Sequence, residues 1–82
     1  HSVTADDKKL DLSLKEFELL LLLIKHPGRV YSRDELLNLI WGIDYDGENR
    51  TVDVHIRALR SKLGDLENVI QTVRGIGYKA DA

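Results

Sequence analysis

Arg50-Thr51-Val52-Asp53-Val54-His55-Ile56-Arg57-Ala58-Leu59-Arg60-Ser61-Lys62-Leu63 is the stretch whose reading decides the fold. Val52, Ile56, Leu59 and Leu63 recur at the period of one buried stripe on an α-helix. Arg50, Val54, Arg57, Ala58 and Ser61 fall on the opposite face, with Asp53 and Arg60 along one flank. Gly64 stops the helix. Beyond it, residues 69–74 alternate and are rich in β-branched side chains, Gly75-Ile76-Gly77 is a turn, and Tyr78-Lys79-Ala80 is extended again. The spacing predicts a helix followed by a β-hairpin.

Two earlier helix starts carry the same signature. In Ser13-Leu14-Lys15-Glu16, Ser13 is placed as N-cap and Glu16 at the third helical position, with Leu12 and Phe17 as a hydrophobic staple. The run through Ile24 is apolar almost all round, which predicts a central buried helix ended by His26-Pro27-Gly28. Ser32-Arg33-Asp34-Glu35 repeats the device, with Tyr31 and Leu36 as staple, and opens a second helix to about Trp41. Residues 42–49 are a polar connection. At the start, residues 2–5 and 10–12 alternate around Asp6-Asp7-Lys8-Lys9, read as two strands with a polar turn. Two strands alone are marginal, so the sheet is expected to have further strands upstream of His1.

The 82 residues make one small α+β domain: strands over 1–12, a three-helix core over 13–63 and a hairpin over 69–80. There is no cysteine, hence no disulfide, thiolate metal site or cysteine nucleophile. No apolar run approaches the roughly 18 residues needed to span a bilayer, and nothing reads as a signal peptide, so a soluble intracellular protein is expected. The absence of Met suggests a fragment of a longer chain. The net charge of −2 is unevenly spread. Residues 1–49 carry six Lys/Arg against ten Asp/Glu, whereas residues 50–82 carry six against four. A local basic face can bind a polyanion even on an acidic domain, because screening limits exposed charges to about 8–10 Å.

A helix, a connection, a helix with an outward basic face and a hairpin together make a winged helix-turn-helix. Reading duplex DNA requires a helix narrow enough for the major groove, donors for base edges and cations for phosphates. Arg50, Arg57, Arg60 and Lys62 supply cations, and Val54 and Ala58 can touch a thymine methyl. A solvated charged face would look the same by spacing alone.

The segments from Arg50 to Ile56, from Leu59 to Leu63 and from Gln71 to Tyr78, with Leu14 to Phe17, His26-Pro27-Gly28 and Leu36 to Gly42 upstream, resemble the C-terminal effector domain of OmpR/PhoB-family response regulators. The resemblance implies sequence-specific double-stranded DNA binding as the output domain of a two-component transcriptional regulator. It further implies a phosphorylatable receiver domain and a sensor kinase as partners of the full-length protein, and a cytoplasmic location in a bacterium. Carried over by position, Thr51, Asp53, Val54, Arg57, Ala58 and Arg74 would meet bases or grooves. Trp41, Arg50, His55, Arg60, Lys62 and Thr72 would meet phosphates or orient neighbours. Asp44, Tyr45, Asp46 and Glu48 would offer a contact for RNA polymerase. The isolated domain would be mainly monomeric and pair in tandem on DNA. Ala58 stands where some members carry a long basic residue, and Ala80 where an aromatic is common, which thins base readout and the anchoring of the wing.

Several residues admit a plainer role. Asp53 lies four residues before Arg57 and either orients it or accepts from cytosine N4. His55 borders the buried stripe and Trp41 ends an amphipathic helix, so both read as packing residues too. Residues 42–49 are equally a solvated connection or a docking loop, and the alternative function is a protein-interaction winged helix contacting transcription machinery through them. They are not a calcium loop: the EF-hand needs Gly and Glu where Asn49 and His55 stand. Residues 75–80 fit the letters of a dinucleotide fingerprint but open no helix. His1, His26 and His55 lack metal-ligand spacing, and no nucleophile is placed beside a base. No cofactor and no enzymatic activity are expected.

Overall fold

The computed structural model describes residues 2–5 and 8–81. Strands β1 (Ser2–Ala5) and β2 (Lys8–Asp11) pair antiparallel, with Val3 opposite Leu10 and Ala5 opposite Lys8. Lys8 and Lys9 therefore belong to the second strand rather than to the turn, and the expected turn at Asp6 and Asp7 lies outside the described residues.

Helix α1 (Leu14–Lys25) begins at the capping box read from the sequence. The Glu16 N–H donates to Ser13 Oγ at 3.2 Å, and the Ser13 N–H donates to Glu16 Oε1 at 2.8 Å. Leu19, Leu20 and Leu23 are buried, each worth about 1.5–3 kcal/mol of apolar transfer. The helix is not buried all round, however: Leu14, Leu21 and Ile24 are exposed. An apolar composition told nothing about how many sides are covered. The helix over 50–63, the turn over 37–41 and the strand over 77–80 pack against it, and Leu14, Leu21 and Ile24 lie outside those contacts.

The second capping box starts α2 (Arg33–Leu36), which lasts one regular turn and continues as a π-helical turn over Leu37–Trp41. The Gly42 N–H reaches back to the Leu37 carbonyl at 3.2 Å, and Gly42 leaves the helix at φ 105°, a conformation that suits glycine. Lys15 of α1 donates to the Ile40 carbonyl at 2.8 Å, placing a cation at the negative end of this helix.

Helix α3 (Arg50–Leu63) has the predicted boundaries, with Val52, Ile56, Leu59 and Leu63 buried. A short 3-10 turn (Gly64–Val69) leads to β4 (Ile70–Val73) and β5 (Gly77–Ala80). A third strand joins the hairpin: β3 (Tyr31–Ser32) pairs antiparallel with β5, giving the order β3–β5–β4. Its register sets Tyr31 opposite Tyr78 and Ser32 opposite Gly77. Here glycine is required, because a Cβ at position 77 would overlap the Tyr31 carbonyl oxygen. Ala80 is buried and its carbonyl accepts from the Gly28 N–H at 3.0 Å, so backbone pairing anchors the wing where a large side chain is missing.

Candidate nucleic-acid interface

The free face of α3 carries Arg50, Val54, Arg57 and Ser61, all exposed, with Ala58 half-buried beside them. Val54 is 61% exposed, an apolar side chain left among cations rather than packed. Arg74 lies exposed in the turn between β4 and β5. Among the described residues, Arg50, Arg57 and Arg74 form no ion pair, so their guanidinium groups remain available to an outside anion.

Arg60, Thr72, Lys62, Asp53 and His55 are engaged within the chain. Arg60 donates twice to the Ile70 carbonyl, at 3.1 and 2.8 Å, and once to Thr72 Oγ1 at 2.8 Å, with its guanidinium 5.5 Å from the Tyr78 ring centre. Both Arg60 and Thr72 thus act as orienting residues between α3 and β4. Lys62 lies off the free face. At about 100° per residue it lies roughly 140° around the helix from Arg57, and its ammonium meets Glu16 Oε1 at 2.6 Å. That ammonium joins α3 to α1, the orienting role of the two expected for it.

Glu16 is buried, with the helix cap on one side and Lys62 on the other. Burial pushes its carboxyl up, but the Lys62 hydrogen bond, the Ser13 N–H and the Lys62 charge together outweigh this and hold it below the ordinary carboxylate value.

Asp53 does not pair with Arg57. Its Oδ1 accepts from the Tyr78 hydroxyl at 2.5 Å and meets Arg33 Nε at 3.3 Å. Burial, followed by the hydrogen bond to Asp53 and the charge of that carboxylate, pushes the Tyr78 phenol up to about 12. Arg33 and Tyr78 escaped the sequence reading. Tyr78 had a signal, since a buried tyrosine hydroxyl needs a partner; Arg33 had none beyond its place at a helix start.

On the far flank, His55 Nδ1 donates to the Thr51 carbonyl at 2.9 Å, which requires the proton on that nitrogen. Its ring meets Trp41 edge-on at 4.8 Å, and Trp41 is half-buried with Lys15 Nζ 5.7 Å from its ring centre. In the connection, Asp44, Tyr45, Asp46 and Glu48 are exposed, and Ile43 is 83% exposed. Among the described residues no group of three or more His, Asp and Glu could hold a metal ion, and no helix is long and apolar enough to cross a membrane.

Residues 7–80 match the family described as "Transcriptional regulatory protein, C terminal". The chain belongs to this family, the OmpR/PhoB type of response-regulator C-terminal DNA-binding domain. It is 48% identical over 81 residues to the heme response regulator HssR of Staphylococcus epidermidis, covering 96% of this chain and 36% of that protein. It is 49% identical over 81 residues to the phosphate regulon transcriptional regulatory protein PhoB of Escherichia coli, covering 96% of this chain and 35% of that protein. The chain thus spans about a third of the length of the curated relatives it matches. The crystal structure of the Klebsiella pneumoniae RstA DNA-binding domain in complex with the RstA box superposes with a TM-score of 0.81 at 39% identity, covering 98% of this chain and 82% of that one. As an OmpR/PhoB-type domain it is a winged helix of three helices with small antiparallel sheets, and its family is one of DNA-binding transcription regulators.

Proposed function

We propose that this domain binds double-stranded DNA sequence-specifically as the output module of a two-component transcriptional regulator, seating α3 in a major groove and the β4–β5 hairpin at the adjacent minor groove. The observation that carries this reading is the unpaired trio Arg50, Arg57 and Arg74, all exposed, on the free face of α3 and at the tip of the hairpin. Arg57 reads a base edge, Val54 and Ala58 contact thymine methyl groups, and Thr51 borders the groove. Arg50 contacts phosphate, and Arg74 enters the minor groove. Trp41 and His55 brace the far flank of α3. The domain acts without chemistry of its own, in the cytoplasm, as a monomer that pairs in tandem on its site. A receiver domain in the full-length protein, phosphorylated by a sensor kinase, controls it. Asp44, Tyr45, Asp46 and Glu48, exposed on the connection before α3, meet RNA polymerase. Selection of random duplexes, then titration of the recovered site against salt, tests the proposal. Binding should weaken steeply with salt through counterion release. Failure to associate with any duplex at low ionic strength would refute it.

A further inference from the structure

The hairpin is fastened to α3 at two levels. Near the start of the helix, Asp53 Oδ1 holds the Tyr78 hydroxyl of β5 and the Arg33 guanidinium of α2 together. Two turns later on the same flank, Arg60 grips the Ile70 carbonyl and Thr72 Oγ1 of β4 and lies over the Tyr78 ring. One attachment would leave a hinge; two, about 10 Å apart along the axis, define an angle. Tyr78 stands in the middle strand, opposite Thr72 on one side and Tyr31 on the other, so moving it moves the whole sheet.

We infer that Asp53 is a positioning residue: by holding Tyr78 and Arg33 at once it sets the angle of the hairpin to α3 and so the distance at which Arg74 is offered relative to Arg57. This rests on the docking proposed above. Its consequence is that the two groove contacts are coupled. With Asp53 in place, a seated α3 presents Arg74 already ordered; without it, Arg74 must be ordered on binding and contributes less.

The test is a set of mutant cycles on the 82-residue chain and its selected duplex. Tyr78→Phe keeps the ring and removes only the hydroxyl, and Asp53→Ala removes the acceptor. Arg74→Ala should weaken specific binding about tenfold in the native background and less than about threefold in either altered one. Arg57→Ala should cost at least about tenfold in all three. An Arg74→Ala loss that stays the same in both altered backgrounds overturns the inference, as does an Arg57→Ala loss that shrinks equally, because the contact would then merely support the fold. If circular dichroism shows Tyr78→Phe unfolded, Asp53→Ala decides alone. Failure of the docking itself appears elsewhere: the native chain would then be indifferent to both Arg57→Ala and Arg74→Ala.

Discussion

The Tyr78 hydroxyl donates to Asp53 Oδ1 at 2.5 Å, joining β5 to α3 across 25 residues of sequence. The acceptor is anionic and the donor buried, so ionising the phenol would set two negative charges against each other with little water to screen them.

An alkaline transition follows. The Tyr78 phenol has an ordinary value of 10.0 and is raised to about 12 in the fold. The stability this contributes is full below pH 10 and is lost as pH rises towards 12. In a spectrophotometric titration the Tyr78 phenol, identified as the signal lost in Tyr78→Phe, should ionise late, and Asp53→Ala should lower its midpoint. A Tyr78 phenol that ionises at its ordinary value of 10.0 in the native domain would contradict this.

The Glu16–Lys62 pair gives the opposite dependence. The Glu16 carboxyl is depressed on folding, so its contribution is present above its ordinary value of 4.5 and lost as pH falls through the folded one. Lys62→Ala strands a buried carboxylate. Because the lysine end is 42% exposed, water softens the loss to about 1–2 kcal/mol. Urea melts at neutral and acid pH measure it, and the gap between native and variant should close in acid.

Lys62→Ala and Arg57→Ala separate two sides of α3. Arg57→Ala should cost about 1–3 kcal/mol of binding and relax base preference, while Lys62→Ala should leave the dependence of binding on salt unchanged. A salt slope flattened by Lys62→Ala would show that its ammonium leaves Glu16 for a phosphate.

Gly77→Ala should split β3 from β5, since the added carbon meets the Tyr31 carbonyl. We expect a loss of about 2 kcal/mol or more, or roughly 10 °C in Tm. A melting temperature within a few degrees of the native value would mean that the strands separate at little cost.

The helix starts and all of α3 were legible because they are local. A capping box needs four residues, and the stripe from Val52 to Leu63 repeats within one element. What the sequence could not give was the choice of partner among groups far apart in the chain. Arg60 and Lys62 look alike as letters on a basic helix, yet one turns to β4 and the other to Glu16, 46 residues away. Asp53 was read against its i+4 neighbour Arg57, when its partners are Arg33 and Tyr78. The strand at Tyr31–Ser32 is two residues long, too short for alternation to register. The π-helical turn depends on Gly42 bonding one residue further back than usual, which no periodicity announces.

The middle strand of the three-stranded sheet is also the last to be synthesised: both of its neighbours, Tyr31–Ser32 and Ile70–Val73, precede it. During translation those edges must wait, unpaired and adhesive, until Ala80 has cleared the ribosome. A nascent chain stalled a few residues short of that point would have its helices and no closed sheet, and would offer two open strand edges to a chaperone or to another such chain.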